Sequence, residues 1–253
     1  MVDIEKLQDK ARKLLEEEKI RFLIGYTGGA EGKGAVPARF RKPEEVEKLI
    51  WNPECRHNLV LFLVEEKKKE IESKEEKKEK KPIGLLVKGC DSRIVNVLLQ
   101  EKFISREEVF LLGVSCEQGG IIDRKKASLK LNGKKVDKWE FEEDGSVLAY
   151  IEGKKTKFQR EDILSDNCLV CRYSYPVTYD VLFGEKKERE VKNQFKSVEE
   201  IENMPREKIE LFWKEQMEKC IRCYACRSVC PLCYCPECVV DSISFKITPE
   251  TTA

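Results

Sequence analysis

The chain has 253 residues, with 48 Lys or Arg against 47 Asp or Glu and a formal net charge of +1. So even a balance argues against a nucleic-acid binder working through a broad basic face, and no window approaches the roughly 20 apolar residues of a membrane span. Twelve cysteines stand against a single histidine, His57, which excludes multi-histidine zinc sites and leaves His57 a structural residue rather than a catalytic one.

Ile4, Leu7, Ala11, Leu14 and Leu15 recur at spacings of three and four, which predicts a surface helix over 3–19. The same stretch carries no apolar run of signal-peptide kind, so the protein is expected to be cytoplasmic, where thiols stay reduced and clustered cysteines read as metal binding. Arg21 to Tyr26 reads as a buried strand running into a glycine-rich loop, 25–34. The loop matches neither a dinucleotide fingerprint nor a P-loop. Gly28, Gly29, Gly32 and Lys33 are its candidate contacts to a cofactor, and a plain flexible loop is the alternative reading.

Pro43 opens a short helix reaching Trp51, Asn58 to Val64 suits a strand buried on both faces, and the Lys/Glu run 65–81 reads as a solvated charged loop. The apolar pattern resumes at Pro82 to Lys88. Gly89 to Arg93 then reads as strand, followed by a helix to Glu101 and a strand over Val109 to Val114. Alternation of this kind predicts a parallel sheet. Cys90 and Cys116 each fall where a strand ends, so both are expected at one sheet edge, where open α/β sheets place their ligands. Turn signals at Asn132-Gly133 and Asp144-Gly145 predict an antiparallel hairpin flap over 128–159. Cys168 and Cys171 follow as a Cys-x2-Cys pair. A long helix is expected from Ser197 to Lys219, with a capping box at Ser197 and Glu200 and a stripe of Ile209, Phe212, Trp213 and Met217 packed in the core.

That helix leads into Cys220, Cys223, Cys226, Cys230 and Pro231, the C-x2-C-x2-C-x3-C-P run that holds a 4Fe-4S cluster in bacterial-type ferredoxins. Cys220, Cys223 and Cys226 are expected at three corners of one cluster. Its fourth ligand and a second metal centre draw on Cys230, Cys233, Cys235 and Cys238. Seven thiols fall one short of two four-thiolate clusters, and Cys55 is either the missing ligand or a buried thiol. Zinc is the alternative occupant of part of this C-terminal set, since Cys-x2-Cys pairs also suit a tetrahedral ion.

Lys88-Gly-Cys90-Asp-Ser-Arg93, Leu112-Gly-Val-Ser-Cys116-Glu117 and Asp166-Asn-Cys168-Leu-Val-Cys171, with Pro176 and Gly184-Glu185, resemble the beta subunits of deazaflavin-reducing hydrogenases and formate dehydrogenases over about residues 82–186. The resemblance implies one 4Fe-4S cluster shared by Cys90, Cys116, Cys168 and Cys171. The four-thiol count agrees with what the sheet topology can bring to one edge.

The expected architecture is an α/β domain over 1–186, a mostly parallel sheet with an inserted antiparallel flap, then a helix and a small iron-sulfur segment over 187–253. The expected function is an iron-sulfur electron-transfer subunit of a formate dehydrogenase, hydrogenase or heterodisulfide reductase assembly. It would carry two or three 4Fe-4S clusters and no bond-making residues of its own, with other subunits as partners. The alternatives are an FAD-containing reductase or dehydrogenase acting on deazaflavin or a nicotinamide, and a zinc-stabilised scaffold.

Overall fold

The computed structural model describes residues 2–30, 34–73, 81–116, 120–142, 144–191 and 194–236. Its first helix, α1 (Ile4–Glu16), is capped by Asp3, whose carboxylate accepts from the Lys6 amide at 3.1 Å, and it buries Leu7, Ala11, Leu14 and Leu15 as their spacing predicts. β1 (Leu23–Gly28) and β2 (Ala35–Phe40) form an antiparallel hairpin, Gly28 opposite Ala35. The glycine-rich segment is therefore a hairpin tip, with Gly29 donating to the Gly34 carbonyl at 2.7 Å, while Gly32 and Lys33 lie outside the described residues. A short 3-10 helix, Pro43–Lys48, stands where a proline-initiated helix was expected.

The segment expected as a strand at 58–64 is instead the start of α2 (Val60–Glu72), which also takes up residues 65–72 of the charged loop. Val60, Leu63 and Val64 are buried at helical spacing, and the Lys/Glu run that follows consists of strong helix formers. Arg39 pairs with Glu66 at 2.8 Å and Arg21 with Glu70 at 2.6 Å, so the charged face is tied to the hairpin. β3 (Ile83–Val87) passes directly into α3 (Gly89–Gln100). The stretch 89–93, expected as strand, is thus the first turn and a half of a helix. β4 (Val109–Val114) then lies parallel to β3.

The flap is a separate antiparallel sheet, β5 (Lys138–Phe141), β6 (Val147–Ile151) and β7 (Lys154–Phe158), and its lead-in at 124–130 is helical, α4 (Arg124–Lys130). A small second core of Ile122, Ala127, Val147, Ala149, Ile163 and Leu164 holds it. Two single-turn helices follow, α5 (Arg160–Ile163) and α6 (Asp166–Leu169), and then β8 (Val181–Phe183), which the sequence reading missed. β8 extends the main sheet to the order β2-β1-β3-β4-β8, parallel except for β2. Asp180 registers it, accepting from the Leu111 amide at 2.6 Å. The result is an α/β fold with β3 wholly buried and β4 nearly so, as central parallel strands require.

The single helix expected over 197–219 is two, α7 (Lys196–Glu202) and α8 (Arg206–Glu218). Pro205 has no amide to donate and disfavours helical backbone before it, so the chain breaks there. Ser197 lies inside α7 and makes no cap. Nor does the stripe enter the core: α8 buries no residue, and Trp213 is 48% exposed. A last turn, α9 (Ala225–Ser228), lies within the cysteine run. No helix among the described residues is long and apolar enough to cross a membrane.

Candidate metal-cluster site

Parallel strands deliver their following loops to one edge of a sheet. Beyond the ends of β3 and β4 stand Cys90, in the first turn of α3, and Cys116. Gly89 allows the first of these. A Cβ there would meet the Tyr175 carbonyl at 2.7 Å and that of Tyr173 at 2.9 Å, both rigid backbone, so only glycine lets the start of α3 lie against the 173–175 loop. The same loop holds Cys116, whose amide donates to the Ser174 carbonyl at 2.6 Å, and takes the Cys171 thiol on the Tyr173 carbonyl at 3.2 Å.

Cys168 is brought in by a second close approach. Its sulfur accepts from the Ile121 amide at 3.3 Å, and Gly120 passes it with φ +127°, where a Cβ would lie 2.4 Å from that of Cys168. Gly120→Ala combines a backbone conformation closed to L-residues with that overlap. It is expected to destabilise the chain by about 2–4 kcal/mol and to displace Cys168, read as a lower denaturation midpoint together with weaker thiol-dependent iron binding. Unchanged iron binding at full stability would contradict this geometry.

Cys90, Cys116, Cys168 and Cys171 line one cavity of about 470 Å³, with Lys88, Arg56, Tyr173 and Arg189 among its walls. Cys90 is solvent-exposed where it opens into the cavity, and the walls packed around it, with Asp91 adding to them, push its thiol up to about 12; burial and the neighbouring Cys90 raise Cys116, and burial raises Cys168. Apolar surroundings resist thiolate formation, and bound metal or a nearby cation reverses that. One cation is built in. Lys88, 2% exposed, pairs with Asp91 at 2.9 Å and donates to the His57 carbonyl at 2.8 Å and to the Tyr26 hydroxyl. Burial alone would lower the Lys88 pKa, but Asp91 and Tyr26 outweigh it and hold the ammonium charged. The sequence signal for Lys88 is a lysine at the end of a buried strand, three residues before Asp91, and sequence reasoning missed its role.

The donor set fits a polynuclear cluster. Four soft thiols line one cavity, the ligand type that iron-sulfur clusters take. In a cluster each thiolate takes its own iron at a separate corner.

The C-terminal cysteines stand apart from this cavity. Cys220, Cys223, Cys226, Cys233 and Cys235 are exposed, Cys230 is half-buried, and Cys238 lies outside the described residues. Arg222 and Tyr224 adopt left-handed backbone, with φ 55° and 57°, and turn the chain tightly between Cys220 and Cys226. Cys55 belongs to neither group. It is fully buried in the main core, its sulfur 3.4 Å from the Asn52 amide and facing the Ile50 carbonyl. Of the loop candidates, Gly28 and Gly29 lie at the hairpin tip; Gly34 beside them borders a second cleft of about 430 Å³ that shares Arg56, Ile122 and Arg124 with the thiol cavity.

No family model matches the chain. It is 22% identical over 220 residues to the beta subunit of F420-dependent formate dehydrogenase 1 from Methanococcus maripaludis, covering 63% of this chain and 56% of that protein. It is 23% identical over 217 residues to the F420-dependent formate dehydrogenase beta subunit of Methanocaldococcus jannaschii, covering 64% and 57%. The chain thus spans a little over half the length of these curated relatives. Among solved structures, a chain of the F420-reducing [NiFe] hydrogenase complex from Methanosarcina barkeri aligns with a TM-score of 0.47 at 16% identity, over 65% of this chain and 57% of that one. The relatives to which this sequence is similar are therefore the beta subunits of F420-dependent formate dehydrogenases, the family that its cysteine motifs resemble.

Proposed function

We propose that this chain is an iron-sulfur electron-transfer subunit of a larger oxidoreductase assembly of formate dehydrogenase, hydrogenase or heterodisulfide reductase type. The observation that carries the reading is the gathering of Cys90, Cys116, Cys168 and Cys171 around one cavity by three separate chain segments. Disulfide chemistry does not require four thiols around a common space, whereas a cubane does. A 4Fe-4S cluster held by them would supply one-electron redox chemistry. The chain's own part is to present the four sulfurs, to keep a charged ammonium, Lys88, beside an anionic centre, and to limit water with the 173–175 loop. Cys220, Cys223 and Cys226, on a loop that turns twice through left-handed backbone, would hold a further cluster. Cys230, Cys233, Cys235 and Cys238 supply its fourth ligand and a second C-terminal centre. The names of the relatives support a place as one subunit among several.

Iron and acid-labile sulfide analysis of anaerobically purified protein tests this. The expectation is iron and sulfide in equal amount, at two or three clusters per chain; stoichiometric zinc without sulfide would replace the reading with a zinc-stabilised scaffold.

The second cleft favours one other reading, a reductase or dehydrogenase with bound FAD. Trp139 lines it, Arg56, Arg124, Lys134 and Lys135 offer cations suited to phosphates, and the hairpin residue Gly34 borders the same space beside the thiol cavity. Flavin bands in the visible spectrum of the isolated chain would establish it, and their absence after incubation with FAD would remove it.

A further inference from the structure

Around the thiol cavity the chain is tied together at the edge where the parallel strands end. The C-terminal cysteine run is tied down somewhere else. Tyr234, between Cys233 and Cys235, stacks on Phe103 with ring centroids 4.0 Å apart at 30°, and its hydroxyl donates to the Glu101 carboxylate. The Cys233 carbonyl accepts from Lys68 at 3.4 Å. Glu101 and Phe103 directly follow α3, whose first turn carries Cys90. The twelve residues of that helix span about 18 Å at 1.5 Å per residue.

Helix α2 gives the same orientation independently. Just before it begins, the His57 carbonyl accepts from Lys88, at the edge of the cavity; towards its other end, Glu70 pairs with Arg21 just before β1, and Lys67 pairs with Glu108 just before β4. Lys68, which holds Cys233, is in that second half.

From these contacts we infer that Tyr234 is a latch that fixes Cys230, Cys233 and Cys235 at the edge where the strands begin, opposite the four-thiol cavity, so that the chain has two separate redox ends. In the electron-transfer reading, on which this rests, the ends face different partners. The sheet-edge site exchanges electrons with one that approaches the C-terminal edge of the sheet, and the C-terminal run with one that approaches the opposite edge. About the length of α3 separates Cys233 and Cys235 from the four-thiol cavity, so the two ends are expected to show no exchange coupling.

The latch is testable without any cluster present. In the full-length chain with Tyr234 replaced by the photocrosslinker benzoylphenylalanine, irradiation is expected to join position 234 to the peptide containing Glu101 and Phe103, or to that containing Lys68. Crosslinks confined to 116–125 or 165–189 would overturn the placement. Tyr234→Ala is expected to speed amide exchange over 230–236 by about tenfold, the worth of an aromatic pair, with Tyr234→Phe retaining most of the protection and β3 and β4 unchanged. Equal exchange in the Ala variant and the parent would overturn the latch.

In iron-loaded protein, the electron paramagnetic resonance signal that disappears in Cys90→Ser is expected to show no exchange splitting with the others, and such splitting would refute the two-ended arrangement. A chain that binds no iron would defeat the electron-transfer reading alone, since the crosslinking and exchange experiments would still decide the position of the latch.

Discussion

Replacing Lys88 by methionine is expected to destabilise the chain by about 3–5 kcal/mol, the cost of leaving one member of a buried ion pair without the other. The ammonium and the Asp91 carboxylate are 2.9 Å apart at 3% and 1% side-chain exposure. Lys88 also donates to the His57 carbonyl and the Tyr26 hydroxyl, so its loss strips a partner from two further buried oxygens. Exposed pairs on the same molecule, such as Arg206 with Glu210 at 3.0 Å, carry no comparable penalty because water replaces the lost partner. Denaturant midpoints of Lys88→Met, Asp91→Asn and the double variant check the argument. The double variant should recover at least about 1 kcal/mol of the summed single losses, as groups in direct contact do. Strict additivity would mean that the pair is not what holds the start of α3. The consequence for the site is positional: Asp91 also accepts from the Lys88 amide at 3.2 Å, and Cys90 lies between the two.

The parts of the fold legible in the sequence were those in which one period dominated. α1 alternates cleanly between buried and exposed positions, and β3 and β4 are short apolar runs flanked by turn residues, so their type followed from pattern alone. Residues 59–64 are six apolar residues in succession, in which periods of two and 3.6 give the same string. What decides for helix is the Lys/Glu run beyond, whose pairs to Arg21 and Arg39 are tertiary and cannot be read along the chain. β8, three residues long, owes its existence to β4 rather than to any local preference. The α7–α8 break was legible, because Pro205 stands in the sequence. The apolar stripe suggests one continuous helix, but a stripe states only that a helix has an apolar face, not that this chain covers it.

The same division holds for the site. Parallel topology sends successive strand ends to one edge, which made Cys90 and Cys116 legible as neighbours, and the resemblance joined Cys168 and Cys171 to them. The roles of Gly89 and Gly120 were not legible. Each is defined by a close approach from a segment tens of residues away, which leaves no mark on the local pattern.

Cys90→Ser is the change expected to cost most in cofactor content. Serine keeps the size and the turn but offers a hydroxyl in place of the soft thiolate that iron-sulfur clusters take from cysteine. Cys90 is the member of the four that α3 presents from its first turn, and no other described cysteine outside the set lines the cavity to take its place. The expected loss is one cluster, about four irons and four sulfides per chain, with the C-terminal content unchanged, because Tyr234 anchors that run at the far end of α3. Cys55→Ser provides the contrast. That sulfur is buried in the main core, so the variant should unfold more easily by about 1–3 kcal/mol and keep its full iron content. Iron that stays level in Cys90→Ser, or falls in Cys55→Ser at a temperature where the chain is folded, would show that the cavity and the cluster are not the same place.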